Sequence, residues 1–257
     1  MASALKIALI QASLAWENPQ ENRLLLEEKI MEVNAGTDVV VLPEMFNSGF
    51  TMNAQKVFET MDGKTLVWMK KLAIKKNTAI TGSIVIKEKG KFYNRLVFVK
   101  PDASVITYDK RHTFTLAGEH KVYAAGTQKI TIEYKGWKIC PLVCYDLRFP
   151  VWARNTENYD VLLYVANWPK KRINAWDILL QARAIENMSY CIGVNRIDKD
   201  GNGYEYSGHS AIYDPLGKTL VYSEDEATLY ATLNKAEIIE TREKLKFLAD
   251  RDSFTVN

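Results

Sequence analysis

Residues 139–150 read Ile-Cys-Pro-Leu-Val-Cys-Tyr-Asp-Leu-Arg-Phe-Pro, which predicts a strand followed by a turn and a helix. An apolar strand stops at Cys144, and polar, turn-like residues follow before a helix predicted at 151–157. That order is typical of a nucleophile elbow, in which a strand-to-helix turn presents one side chain at the edge of a sheet. The amide N–H after the nucleophile can then point at a developing oxyanion. The alternative for Cys144 is an inert, buried thiol.

Strands and helices alternate along the rest of the chain. Apolar runs predict strands at 5–11, 38–42, 161–166, 190–196, 210–214, 220–222 and 228–233. Two hairpins interrupt the alternation, one joining 78–87 to 91–100 and the other joining 130–134 to 137–143. Helical spacing of apolar residues predicts helices at 20–33, 64–76, 173–187 and 235–245. The pattern predicts an α/β fold with mixed sheets covered by helices, in one domain spanning residues 1–257.

Composition narrows the class of protein. The 257 residues include 34 Lys and Arg against 31 Asp and Glu, and the net charge of +3 argues against a nucleic-acid binder. Only three His are present, without a zinc-binding spacing, so we expect no metal. No signal peptide and no apolar run near the roughly 18 residues of a membrane span occur. Three Cys without a disulfide pattern favour a reducing, cytoplasmic location, with Cys140 and Cys191 in the core.

A carboxylate occupies a second position where chemistry is expected. Glu44 comes directly after the strand at 38–42 and a Pro that cannot extend the ladder. Strand ends in α/β sheets are where ligand sites form. Apolar neighbours Met45 and Phe46 suit a carboxylate that acts as a general base. The alternative is a helix cap or a salt-bridged carboxylate.

A basic residue follows another strand-like run. Lys110 lies in Tyr-Asp-Lys-Arg-His after residues 104–107, and Glu119 lies close enough in sequence to pair with it. Taken alone, such a triplet is typical of a solvated loop. A thiol with an ordinary pKa near 8.5 needs a nearby base and cation to become a nucleophile at neutral pH. Glu44 and Lys110 would supply both functions to Cys144 without a His.

The three motifs resemble the Glu, Lys and Cys motifs of the nitrilase superfamily of carbon–nitrogen hydrolases. They are Leu-Pro-Glu-Met-Phe around Glu44, Asp-Lys-Arg-His around Lys110 with Gly118 and Glu119, and Val-Cys-Tyr-Asp-Leu-Arg-Phe around Cys144. They occur in the family's order, and the resemblance runs from Lys6 to about residue 252. It implies a four-layer α-β-β-α sandwich, pairing of subunits into a homodimer, and no cofactor.

The resemblance also implies a role for each matching residue. Cys144 is the nucleophile, and Glu44 is the general base that takes its proton and later activates water. Lys110 and the backbone N–H of Tyr145 form the oxyanion hole. Glu119 matches a second glutamate of the family, which supports the site beside Lys110.

Within the superfamily, the chain is most similar to the bacterial ω-amidases, which hydrolyse 2-oxo-ω-amides such as 2-oxoglutaramate. The similarity lies in Asn-Ser-Gly-Phe at 47–50, Ala-Asn-Trp-Pro at 166–169, Gln-Ala-Arg-Ala-Ile-Glu-Asn at 181–187 and Gly-Asn-Gly at 201–203. The string beginning at Cys144 is also similar to amidases for deaminated glutathione. A nitrilase, an N-carbamoyl amino acid hydrolase and a non-catalytic binding protein of the same fold are further alternatives, whereas the scarcity of His disfavours a metal-dependent hydrolase.

A small amide substrate that carries a carboxylate requires a cation at the far end of its pocket. Arg148 and Arg172 are candidates, because Arg binds carboxylates in a fork. Pairing with Asp146 is the favoured alternative for Arg148, and a solvated loop is the alternative for Arg172. The predicted substrate-binding residues also include Phe46, Phe50, Asn167 and Trp168, although aromatic residues at such spacings often belong to the core.

Overall fold

Residues 4–256 are described by a computed structural model, and their strands form two six-stranded sheets. The first sheet has the order β14–β1–β2–β3–β4–β5, with β1 Ala4–Gln11, β2 Val39–Val41, β3 Ala79–Glu88, β4 Lys91–Val99, β5 Val105–Asp109 and β14 Ala227–Asn234. The second has the order β13–β12–β9–β8–β7–β6, with β6 Ile132–Tyr134, β7 Trp137–Val143, β8 Val161–Val165, β9 Tyr190–Val194, β12 Ser210–Tyr213 and β13 Thr219–Ser223. A separate antiparallel pair consists of β10 Ile197–Lys199 and β11 Glu205–Ser207.

Helices cover the outer faces of the two sheets. Their bounds are α1 Pro19–Glu32, α2 Ala54–Val57, α3 Lys64–Lys76, α4 Pro150–Ala153, α5 Ile173–Asn187 and α6 Lys235–Leu245. Apolar residues of α1 and α3 pack against the first sheet, and those of α5 pack against the second. The predicted four-layer α-β-β-α sandwich is therefore confirmed. Among residues 4–256, no helix has the length and apolar character that crossing a bilayer requires.

The largest apolar core lies between the sheets. Leu5 and Phe98 from the first sheet belong to one buried cluster with Ile139 and Leu163 from the second. Fully burying a side chain of this kind contributes roughly 1.5–3 kcal/mol. The facing sheets are thereby held together, and the strand ends of one lie beside those of the other.

Parallel pairing places the segments that follow β2, β7 and β8 at the carboxyl ends of the strands. Strand β2 runs parallel to β1 and β3, and its β-branched run Val39–Val41 is buried on both faces, as parallel strands usually are. In the second sheet, β7, β8 and β9 are likewise parallel. The segments after β2, β7 and β8 therefore leave the sheets at their carboxyl ends, where α/β proteins bind ligands.

The structure differs from the prediction at two connections. The helix expected at 151–157 ends at Ala153, because the Asn155 side chain binds both the N–H and the carbonyl of Tyr159 and closes a loop instead. The strand expected at 190–196 ends at Val194, and the chain continues into the unpredicted hairpin of β10 and β11. Asn195 diverts the backbone there by donating to the carbonyls of Trp168 and Gly208.

Candidate active site

Four strand ends bring the polar residues of the site together. Glu44 follows β2, Lys110 follows β5, Cys144 follows β7 and Asn167 follows β8. All four are buried, as is Glu119 in the loop beyond β5. The structure therefore brings Glu44, Lys110, Cys144 and Glu119, which are up to 100 residues apart in sequence, into one cluster.

Cys144 has the backbone geometry of a nucleophile elbow. Its φ is +44°, a left-handed conformation that costs a non-glycine residue of order 1–3 kcal/mol and is typical of functional sites. A 3-10 helix begins there, Cys144–Arg148, so the N–H of Tyr145 has no acceptor inside the helix. The Cys144 Sγ lies 3.9 Å from the carbonyl oxygen of Asn167. The turn thus presents a thiol together with an amide N–H that the 3-10 helix itself does not use.

Lys110 is held between two carboxylates. Its Nζ lies 2.9 Å from Oε1 of Glu44 and 2.9 Å from Oε2 of Glu119. The Nδ2 of Asn94 donates to Oε1 of Glu44 over 2.7 Å, and the backbone N–H of Asn167 donates to Oε2 over 2.8 Å. Both oxygens of Glu44 are therefore oriented by donors, which defines the position of the carboxylate beside the thiol.

Burial and charge set the protonation of these groups. Burial by itself lowers the pKa of Lys110, but the carboxylates of Glu119 and Glu44 outweigh it, so the pKa is raised. Burial raises the pKa of Glu119, and Lys110 opposes that change. Burial also raises the pKa of Cys144 well above its usual value, reinforced by the charge of Glu44 and opposed by Lys110. The resting site accordingly holds an ammonium group and a protonated thiol.

Asn94 belongs to the site, although it lies outside the three sequence motifs. It lies in β4 on the same face as Leu96 and Phe98, which are buried in the core between the sheets. Its Nδ2 contacts both Glu44 and Glu119. The sequence feature that could have identified Asn94 is its position as a polar residue on an otherwise apolar strand face.

A cavity of about 610 Å³ opens in front of Cys144. Its lining includes most of the residues predicted to bind substrate or to form the oxyanion hole, namely Phe50, Lys110, Tyr145, Arg148, Asn167, Trp168 and Arg172. The hairpin region that was not predicted adds Tyr204 and Tyr206. Pockets of this size and mixed lining are usual for small-molecule ligands. The cavity thus connects the reactive thiol with two guanidinium groups.

Phe46 differs from the other predicted pocket residues. It is fully buried against the helices of the first sheet, with its ring centroid 6.1 Å from that of Trp68. Gly82 leaves the space that the ring fills, since a Cβ there would lie 2.7 Å from the Phe46 Cδ1. The expectation that Phe46 walls the pocket is wrong, because core packing takes its side chain away from the cavity.

Each arginine of the cavity is stacked on an aromatic ring. The Arg148 guanidinium lies 4.9 Å from the ring centroid of Trp168, and that of Arg172 lies 5.2 Å from Phe114. Within residues 4–256, neither has a carboxylate partner. The expected pairing of Arg148 with Asp146 is therefore wrong, because the Asp146 carboxylate is already occupied by Tyr108, His112 and the N–H of Val143.

The other two cysteines are core residues, as expected. Cys140 and Cys191 are fully buried in the apolar cluster of the second sheet. Burial raises the pKa of Cys140 to about 12 and raises that of Cys191 further. Within the described part of the chain, no group of three or more His, Cys, Asp or Glu is placed to hold a metal ion.

Comparison with known sequences identifies relatives over nearly the whole chain. Residues 6–243 match the carbon–nitrogen hydrolase family. The omega-amidase YafV of Escherichia coli strain K12 is 44% identical over 252 residues, which cover 97% of this chain and 98% of the relative. The omega-amidase YafV of Yersinia enterocolitica is 42% identical, covering 98% of both chains. The 2-oxoglutaramate amidase of Bacillus subtilis is 32% identical, covering 95% of this chain and 96% of the relative.

Comparison with solved structures identifies proteins of the same superfamily. XC1258 from Xanthomonas campestris, a CN-hydrolase superfamily protein, superposes with a TM-score of 0.97 at 41% identity, covering 99% of this chain and 100% of the other. Nit3 of Saccharomyces cerevisiae, a member of the nitrilase superfamily, superposes with a TM-score of 0.83 at 26% identity, covering 95% and 97%. From its sequence, its fold and these relatives, the chain belongs to the carbon–nitrogen hydrolase family, enzymes that hydrolyse carbon–nitrogen bonds other than peptide bonds.

Proposed function

We propose that this enzyme hydrolyses the terminal amide of small 2-oxo-ω-amides, such as 2-oxoglutaramate, to the 2-oxo acid and ammonia. The observation that carries the proposal is one cavity that joins the Cys144 thiol to two guanidinium groups without a carboxylate partner in the described part of the chain. The names of the relatives, omega-amidase and 2-oxoglutaramate amidase, support the same substrate class.

The first half-reaction forms a thioester. Glu44 takes the proton from Cys144, and the sulfur forms a bond with the amide carbon. The oxygen of the tetrahedral intermediate accepts hydrogen bonds from Lys110 and from the N–H of Tyr145, which stabilise its charge. Glu44 passes the proton to the nitrogen, the carbon–nitrogen bond breaks, and ammonia leaves.

The second half-reaction releases the acid. Glu44, again ionised, takes a proton from water as the water oxygen attacks the thioester carbon. The same two donors hold the second oxyanion. The carbon–sulfur bond then breaks, and the proton returns from Glu44 to the Cys144 sulfur. Glu119 keeps Lys110 charged and in place throughout, and neither step requires a cofactor.

The carboxylate of the substrate binds to Arg148 and Arg172. Both guanidinium groups line the cavity, and stacking on Trp168 and Phe114 restricts their orientation without using their hydrogen-bond donors. Their forked donors match a carboxylate. Phe50, Asn167 and Trp168 complete the walls around the acyl chain.

Residues 1–257 act as one catalytic domain that functions as a cytoplasmic homodimer. Ile178 and Ile185 of α5 are 56% and 49% exposed on the outer face of this helix, and a second copy would bury them. The three cysteines are free, as expected in a reducing compartment. Sedimentation velocity should give a dimer for the wild type and a monomer for Ile178→Glu, whereas a wild-type monomer would contradict the pairing.

A substrate panel with ammonia detection tests the reaction. 2-Oxoglutaramate should give a kcat/KM well above those of deaminated glutathione, N-carbamoyl amino acids and nitriles. Preference for one of those compounds would replace the proposed substrate while retaining the mechanism. Failure of the wild type to hydrolyse any of them, together with a Cys144 inert to alkylation, would favour a binding protein.

A further inference from the structure

A single buried carboxylate connects the segment that carries Lys110 to the segment that carries Cys144. Oδ1 of Asp146 accepts the backbone N–H of His112 over 2.9 Å and lies 2.7 Å from Nδ1 of the same histidine. Oδ2 accepts the hydroxyl of Tyr108 over 2.8 Å and the N–H of Val143 over 3.0 Å. Asp146 is fully buried.

The partners of this carboxylate flank the two reacting groups in sequence. Tyr108 and His112 lie two residues before and two residues after Lys110. Val143 precedes Cys144 directly, and Asp146 follows it by two residues. The distance between the ammonium group and the thiol therefore depends on how firmly Asp146 holds both segments.

Packing restricts His112 to one orientation. Its ring stacks on Phe149 with a centroid separation of 3.6 Å and an interplanar angle of 4°. It also meets the edge of Trp152, whose Nε1 donates to the Tyr108 hydroxyl over 3.1 Å. An ionised carboxylate only accepts hydrogen bonds, so Nδ1 carries the proton in this pair. The ring is thus a rigid donor aimed at Asp146.

We propose that His112 is a positioning residue, which acts through Asp146 to keep the oxyanion lysine and the nucleophile elbow at their reactive separation. The inference rests on the proposed roles of Lys110 and Cys144. The side chain of His112 is not among those that line the cavity. Its side chain contributes one donor, Nδ1–H, that a smaller amide side chain can reproduce.

The test compares His112→Ala with His112→Asn. Alanine removes the donor, whereas the asparagine carboxamide places an N–H close to the former Nδ1. We expect kcat of His112→Ala to fall about 10²-fold, since misplacement by about 1 Å costs this much. KM should stay within about twofold, and His112→Asn should recover most of kcat. The rate at which iodoacetamide alkylates Cys144 should likewise fall in His112→Ala and recover in His112→Asn.

A second histidine–aspartate pair provides the matched control. His209 Nδ1 lies 2.9 Å from Oδ2 of Asp177, a residue of α5 whose side chain does not line the cavity. Asp177→Ala should leave kcat and the alkylation rate unchanged. Wild-type kcat in His112→Ala would overturn the proposal, as would equal losses in both His112 variants that parallel a lower melting temperature. Because alkylation needs no substrate, a wrong substrate assignment would appear only as an inactive wild type.

Discussion

The ammonium group of Lys110 lies 2.9 Å from the carboxylate of Glu44, and both side chains are buried. A buried ion pair is costly unless further hydrogen bonds satisfy it, and here Glu119 and Asn94 provide them. The arrangement keeps a base and a cation adjacent to a neutral thiol. Proton transfer from Cys144 to Glu44 can therefore accompany attack on the substrate, without a thiolate in the resting enzyme.

Replacing the thiol should separate chemistry from folding. Cys144→Ala should abolish turnover in the ammonia assay while leaving the circular dichroism spectrum unchanged, because only the nucleophile is lost. Cys140→Ala is the matched control, since this thiol lies within the core of the second sheet, and it should retain wild-type kcat. Turnover in Cys144→Ala would contradict the thioester mechanism.

Removing the charge of Glu119 should alter the pH profile. Two carboxylates raise the pKa of Lys110, and the contribution of Glu119 is larger than that of Glu44. In Glu119→Gln that pKa falls, so kcat should decline with rising pH in a range where kcat of the wild type stays level, and kcat itself should drop about 10²-fold as the oxyanion donor weakens. The profile between pH 7 and 10 measures both effects.

A carboxylate outside the cavity controls for loss of charge alone. Glu88 pairs with Arg95, and Glu88→Gln should keep the wild-type pH profile. An unchanged alkaline limb in Glu119→Gln would show that Lys110 does not depend on this carboxylate.

The two arginines of the cavity should determine KM for anionic substrates. Arg148→Gln and Arg172→Gln each remove a charge-assisted interaction worth about 1.5–3 kcal/mol, which corresponds to about 10- to 150-fold in KM for 2-oxoglutaramate. A neutral amide of similar length should be hydrolysed with an unchanged KM. Lys171→Gln, in the same loop, should have no effect. Equal losses for neutral and anionic amides would exclude this carboxylate site.

Stability should decline in alkaline solution. Burial raises the pKa of all three thiols, so the folded chain keeps protons that the unfolded chain loses above about pH 8.5. The contribution of the thiols to the free energy of unfolding is therefore complete below that pH. Above it, the free energy of unfolding falls by about 1.4 kcal/mol per pH unit for each thiol. Urea unfolding at pH 7.5, 8.5 and 9.5 measures the slope, which Cys191→Ala should reduce. A flat profile would contradict burial of the thiols.

Local sequence patterns were sufficient to predict many of the helices and strands of the fold. The helices predicted at 64–76, 173–187 and 235–245 have these bounds in the structure, because apolar spacing and capping act within a few residues. The strands β10 and β11 were missed because each has only three residues, although the Gly-rich turn at 200–203 that joins them is visible in the sequence. Helix 151–157 was overestimated because a side-chain loop closure at Asn155 competes with helix propagation.

The thiol, the base and the cation could be identified from local motifs, because each follows a strand-like run within a distinctive string of residues. Their partners depend on contacts between distant segments. Asn94 reaches Glu44 across 50 residues, and Asp146 binds His112 rather than Arg148. Phe46 packs in the core, whereas Phe50 lines the cavity. Such contacts join different strands, so their geometry depends on sheet order and register, which residue spacing along the chain does not specify.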